Sequence, residues 1–169
     1  MKLRPFDPDS DFDRIRGWIT DERVHAMWCA NRFQYPLDQG NFLSVLSEMA
    51  QRTGNAPFAA VTDDNIAAGF FCCSPDRESG ECRLKFVIVD PEYRGKGTAR
   101  EMLRLAVLQA FEDADMKRVS LIVFSENAIA RKCYEKAGFT ERKTESPAFI
   151  YQGESWERCR MVMERRNMR

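Results

Sequence analysis

The sequence predicts an α+β domain in which a mixed sheet carries flanking helices. Three observations carry that expectation. The apolar run Phe86-Val87-Ile88-Val89 passes through a turn rich in glycine and charge into a helical pattern bearing Met102, Leu103, Ala106, Val107 and Ala110. Two apolar segments, residues 57–62 and 66–73, face each other across the polar turn Asp63-Asp64-Asn65 as a hairpin. Helical patterns also gather early, over roughly residues 10 to 52, and strand patterns follow.

The elements are expected in this order. Leu3-Arg4-Pro5-Phe6 reads as a short first strand, stopped by Asp7-Pro8. Ser10 can cap a helix carrying Phe12, Ile15, Trp18 and Ile19, and a second helix starts at Asp21 with Val24, Met27 and Trp28. Asp38 is an N-cap for a third, with Leu37 and Phe42 spaced as a hydrophobic staple. After the hairpin, a turn over residues 75–80 leads into a strand over 81–89. The helix after the glycine turn ends near residues 113–115, and a strand is expected over 118–124. Asn127 caps a last helix, which Gly138 closes in the left-handed conformation. Two final strands, residues 139–151 and 156–163, lie around Gly153.

Composition sets the bounds. At 169 residues and 44% hydrophobic content, one domain over residues 1–169 with a full core is expected. Lys plus Arg and Asp plus Glu both number 26, so no global charge draws nucleic acid or acidic membranes. No apolar run approaches the ~18 residues of a membrane span, and Met1-Lys2-Leu3-Arg4-Pro5 is not a signal peptide, so a cytoplasmic protein is expected. The six cysteines show no C-x-x-C spacing, and His25 is the only histidine, which argues against a metal site. Reduced thiols are expected.

Chemistry concentrates in the turn Asp90-Pro91-Glu92-Tyr93-Arg94-Gly95-Lys96-Gly97-Thr98-Ala99. Strand, glycine turn and helix start make an anion site, because the first N–H groups of a helix lack internal partners and the dipole favours negative charge there. Gly95 and Gly97 let a phosphate approach the main chain closely. A Walker loop is excluded, since Lys96-Gly97-Thr98 has the wrong order, and the dinucleotide fingerprint is excluded by Arg100 where a third glycine is needed.

This turn resembles the acetyl-CoA motif of the GNAT N-acetyltransferases, Arg/Gln-x-x-Gly-x-Gly/Ala, filled here by Arg94, Gly97 and Ala99. A second segment resembles the family pattern Asn-x-x-Ala-x-x-x-Tyr-x-x-x-Gly-Phe, with Asn127, Ala130, Tyr134, Gly138 and Phe139 at the named positions. The element order also resembles the family's. The early helical arm, together with Phe149 and Trp156 in the tail, looks most like the RimJ/RimL branch.

The resemblance implies a mostly antiparallel sheet with one splayed strand pair. It also implies acetyl-CoA as donor, and direct acetyl transfer to a primary amine in a ternary complex. Arg94, Gly95, Lys96, Gly97, Thr98 and Ala99 would hold the pyrophosphate. The main chains of Val87 and Val89 would bond the pantetheine arm. Asn127 would lie near that arm, although capping its helix explains it equally well. Tyr134 would protonate the departing thiolate, or else pack as a core aromatic.

An amine of pKa ~10.4 is only about 0.1% neutral at pH ~7.4, a penalty of about 4 kcal/mol. A base contributing ~10²–10⁴-fold covers much of it. Glu81 is the candidate, thirteen residues before Arg94 and near where the family's histone acetyltransferases keep their glutamate. An ordinary surface glutamate is the competing reading, and His25 is a rival base. The acceptor is a small-molecule or peptide amine. Asp21, Glu22, Glu48, Glu81 and Glu154 could meet its charge, and Trp28, Phe33, Tyr35, Phe149 and Trp156 could line its cleft. A homodimer is one assembly open to such a domain. A non-catalytic acyl-CoA sensor or scaffold, which would need no Tyr134, is the alternative.

Overall fold

The computed structural model describes residues 1–144 and 146–167. The chain runs β1 (Lys2–Pro5), α1 (Pro8–Trp18), α2 (Glu22–Cys29), α3 (Gln39–Thr53), β2 (Ala56–Val61), β3 (Ala67–Asp76) and β4 (Glu81–Val89). It continues through α4 (Thr98–Glu112), β5 (Arg118–Phe124), α5 (Ala128–Lys136), β6 (Thr140–Arg142), β7 (Phe149–Tyr151), β8 (Glu154–Trp156) and β9 (Arg158–Glu164). Seven strands form one sheet in the order β1-β2-β3-β4-β5-β9-β6, and β7 and β8 make a separate two-stranded ribbon. Every pairing in the large sheet is antiparallel except β4 with β5.

Caps fix most of the helix starts. Asp21 accepts from the Val24 N–H and Asp38 from the Asn41 N–H, each at 2.8 Å. The first helix begins earlier than Ser10. Asp7 is its cap, accepting from the Asp9 N–H at 3.1 Å, and Ser10 donates its hydroxyl back to Asp7. Pro8 explains the shift, since a proline in the first turn surrenders no hydrogen bond and already has helical φ.

The tail differs from the two long strands the sequence predicts. Pro147 lies within the expected 139–151 strand and has no N–H for a ladder, so the segment divides into β6 and β7. Glu145, also within that expected strand, lies outside the described residues. Gln152 and Gly153, at φ 47° and 83°, form a tight turn that folds β7 onto β8. The last strand, β9, then inserts between β5 and β6.

Two apolar layers enclose the sheet. Met102, Leu103, Ala106 and Val107 of α4 pack with Leu84, Val119, Leu121 and Met161 on one face. Phe12, Ile15, Trp18, Phe42 and Leu46 of the helical arm pack with Phe70, Cys72 and Ile88 on the other. A third, small cluster joins Ala26 of α2 to Phe124, Tyr151 and Trp156. Cys73 and Cys82 are disulfide-bonded across β3 and β4, against the expectation that all thiols stay reduced, and Cys29, Cys72, Cys133 and Cys159 are free. Among the described residues no helix is long and apolar enough to cross a membrane.

The parallel pair is short. β4 and β5 are in register only at Glu81↔Arg118, Cys82↔Val119 and Arg83↔Ser120, after which they part. Glu81 ties the closed end. Its carboxylate accepts from Ser120 and Arg118 of β5 and from Arg160 of β9 at 2.6 Å, with Arg83 at 3.5 Å. Burial would raise this carboxyl, but the Ser120 hydroxyl and the charges of Arg160 and Arg83 outweigh it and hold the pKa below the ordinary 4.5. A depressed folded value means stability that is complete above the unfolded pKa and is lost as pH falls through the folded one. Glu81→Gln should therefore lower stability by about 1–3 kcal/mol at neutral pH. Denaturation measured between pH 7 and 3 should show the wild-type advantage shrinking below about pH 4.5. An equal gap at both ends of that range would assign the loss to packing.

Candidate functional site

The gap between β4 and β5 opens where β4 is irregular. The β3–β4 register shifts between Phe70 and Cys72, and Phe86 sits at φ 53°. A bulky residue rarely occupies the left-handed region, and holding it there costs on the order of 1–3 kcal/mol. Trp28 of α2 secures the bend by donating its indole N–H to the Phe86 carbonyl at 2.8 Å. The Phe33 ring lies 4.7 Å from that of Phe86. From Leu84 to Val89, the edge of β4 that faces β5 has no ladder partner.

At the end of β4, Asp90 caps a single 3-10 turn over Pro91–Tyr93, accepting from the Glu92 N–H at 2.9 Å. Arg14 of α1 anchors this corner, with one nitrogen on the Asp90 carboxylate at 3.0 Å and another on the Ala67 carbonyl. The loop then exposes Arg94, Gly95, Lys96 and Gly97. Gly95 and Gly97 have φ 74° and 83°, and a Cβ added at either would meet no atom within 4 Å. Gly97 is the N-cap of α4 and makes no side-chain cap bond, and the first bond of the helix runs from Glu101 N–H to the Gly97 carbonyl. The N–H groups of Thr98, Ala99 and Arg100 therefore have no intrahelical acceptor, beside glycines with open space around them. Orphan donors along a loop with two positive-φ glycines suit the pyrophosphate of acetyl-CoA.

The other expected residues fall as follows. Val87 is half-buried and Val89 buried on β4, and the Val89 carbonyl already accepts from Arg94 Nε at 3.2 Å. Asn127 caps α5, accepting from the Ala130 N–H at 3.2 Å. Lys96 lies over the Tyr93 ring. Tyr134 is buried in the core cluster that holds Val89, Met102, Leu121 and Val123, so it stands among the strands that part. Its hydroxyl has no hydrogen-bond partner among the described residues, and burial pushes its pKa well above the usual phenol value.

The geometry runs against Glu81 as a free base. It lies at the closed end, before the strands separate, and its oxygens are taken by Ser120, Arg118 and Arg160. A carboxylate held by that many donors binds protons weakly. His25 fits the role no better: it is fully buried beside Cys29, and burial lowers its pKa.

Most of the expected acceptor-side carboxylates are also engaged; Glu22 is the exception, exposed and without an ion pair among the described residues. Glu154 is gripped by both nitrogens of Arg23 and by the Trp156 indole, and its pKa falls to about 2. Glu48 pairs with Arg52, and Asp21 caps α2. Trp28 and Phe33 pack with the helical arm, Phe149 and Trp156 form the small cluster, and Tyr35 is exposed. Arg14 and Phe86 carry no local signal in the sequence, because their partners lie 76 and 58 residues away.

Comparison with known proteins agrees with this geometry. Residues 12–139 match the model of the acetyltransferase (GNAT) family. The uncharacterized N-acetyltransferase YokL of the Bacillus subtilis SPbeta prophage is 27% identical over 82% of this chain and 75% of its own length. Spermidine N(1)-acetyltransferase of Escherichia coli is 33% identical over 46% of this chain and 41% of its own length. Spermidine N-acetyltransferase of Vibrio cholerae, solved with CoA and spermine, superposes with a TM-score of 0.80 at 20% identity, covering 98% of this chain and 96% of that one. A dodecameric structure of that enzyme gives a TM-score of 0.70 at 19% identity, covering 96% and 92%. With its splayed strand pair, its glycine cradle and a family match over most of its length, the chain belongs to the GNAT family and is an acetyl-CoA-dependent N-acetyltransferase.

Proposed function

We propose that the chain transfers acetyl directly to a primary amine while donor and acceptor are bound together, without an acyl-enzyme. The observation that carries this reading is the continuity of the bare N–H cradle at α4 with the unpaired edge of β4. In this reading Arg94, Gly95, Lys96, Gly97, Thr98 and Ala99 hold the pyrophosphate, each helix-start contact contributing about 0.3–1 kcal/mol. The main chains of Val87 and Val89 receive the pantetheine arm, with Asn127 holding α5 in place beside it. When bound, acetyl-CoA supplies the thioester carbonyl that the amine attacks.

Tyr134 is the proposed acid. Like any phenol it is protonated at neutral pH and so has a proton to give the leaving sulfur. The free thiols are unsuited to nucleophilic attack, since desolvation raises the pKa of Cys29, Cys72, Cys133 and Cys159. Glu81 is assigned to holding the strands together, and the amine loses its proton to water.

The unit is read as one domain over residues 1–169, acting in the cytoplasm on a small-molecule or peptide amine, with a homodimer as its assembly. The helical arm and the Phe149–Trp156 tail support the RimJ/RimL-like branch. The polyamine acetyltransferases among the relatives favour a neighbouring branch, but the Escherichia coli enzyme aligns with less than half of this chain.

Gly97→Val places a β-branched side chain in the cradle, on a backbone that disfavours it. Calorimetry should show the CoA Kd rising by about ten-fold or more, equivalent to about 1.4 kcal/mol. A folded variant with wild-type affinity would move the donor site elsewhere. Tyr134→Phe should lower kcat by about 10²-fold with CoA affinity and Tm unchanged, and a change under about two-fold would make the tyrosine a packing residue. Glu81→Gln should leave the shape of the pH–rate profile intact. CoA binding without turnover on any amine would favour the non-catalytic sensor.

A further inference from the structure

The sheet face opposite α4 carries an uneven charge beside the gap. Leu84, Leu121 and Met161 point toward α4. Alternation along each strand then places Arg83 and Lys85 of β4, Ser120 and Ile122 of β5, and Arg158 and Arg160 of β9 on the other face. The last ladder pair is Arg83↔Ser120, so Lys85 and Ile122 are the first residues of this face beyond it. They form the two lips of the gap, and Ile122 is 38% exposed.

Lys85 has no carboxylate within 4 Å among the described residues. Burial first, then the charges of Arg83, Arg52 and Arg32, pull its ammonium below the ordinary lysine value. Glu48, the carboxylate beside this group, is shared between Arg52 at 3.3 Å and Arg32 at 4.0 Å. From Lys85 and Arg83 a surface cavity of about 550 Å³ runs to Thr53 and Ser74. Its own carboxylates are engaged, Glu81 by the arginines and Asp76 by the Ser79 hydroxyl at 2.7 Å. Lys85, with no carboxylate partner among the described residues, and Arg83, whose partner Glu81 is shared with Arg118 and Arg160, thus stand at one lip of the gap, an arrangement of excess positive charge that attracts an anion and repels a polycation.

We propose that the amine acceptor carries a carboxylate or phosphate, and that Lys85 and Arg83 hold this anionic group in the cavity while the amine reaches between β4 and β5. The proposal rests on the transfer reading above and names the substrate class for the same site. It also separates this chain from relatives that act on spermidine.

Binding to the CoA-loaded protein is measured by calorimetry with γ-aminobutyrate, O-phosphoethanolamine, ethanolamine and spermidine. One of the two anionic amines should bind about ten-fold or more tighter than ethanolamine, and spermidine should bind weakest. Whichever anionic amine binds better tells carboxylate from phosphate. Lys85→Met should raise its Kd by about ten-fold while the CoA Kd and Tm hold. Spermidine binding as tightly as the anionic probes, or Lys85→Met leaving their Kd unchanged, overturns the proposal. Thiol release from acetyl-CoA in the same mixtures separates the two readings. Anionic amines that bind without thiol release sink the transfer reading and leave the anion site standing. Faster turnover of spermidine sinks the anion site and keeps transfer.

Discussion

The structure depends on a carboxylate that joins three strands at one point. Glu81 starts β4, and its partners Ser120, Arg118 and Arg160 belong to the two strands beyond it. Parallel pairing is the weaker kind of ladder, and only three residue pairs hold β4 to β5. A charge-assisted cluster at the closed end lets that contact stay short without the sheet dividing. Opening a sheet also exposes main-chain groups, which is tolerable only where something else takes their bonds. In the proposed reading the donor takes the bonds of the open edge, and along that edge Trp28 holds the strained Phe86 in place.

Local chemistry was the legible part. The glycine loop, the Asp21, Asp38 and Asn127 caps and the hairpin at 63–65 are written in neighbouring residues, and they stand where the sequence puts them. α1 is capped three residues before Ser10, because Pro8 serves as an N1 proline as well as a strand stop. The tail divides into shorter strands because Pro147 has no N–H for a ladder, whatever the apolar residues around it favour. The position of Glu81 was legible, as the first residue of β4, but its surroundings were not. Three of its partners are 37 to 79 residues distant, and nothing beside it distinguishes a waiting base from a fastened anion. Phe86 and Arg14 share that difficulty, since their meaning lies wholly in long-range contacts.

The two faces of the gap divide the chemistry between them. On the α4 side the polar groups are main-chain N–H donors from a loop shaped by positive φ, a surface indifferent to all but negative charge and shape. On the other side the groups are long side chains, whose identity can change without disturbing the ladder. Side chains can thus change widely while the backbone fold is kept, as a TM-score of 0.80 at 20% identity illustrates.

The insertion of β9 between β5 and β6 has a consequence for synthesis. Residues 118–124 leave the ribosome well before residues 158–164, yet β9 is their antiparallel partner along their whole length. Until that last strand emerges, β5 presents an uncovered edge of main-chain donors and acceptors, and β6 has nothing to pair with. The sheet is therefore completed from its C-terminal end. A chain interrupted before Arg158 keeps the donor loop but leaves an adhesive edge at its centre, so premature termination would yield an aggregating fragment in place of a weaker enzyme.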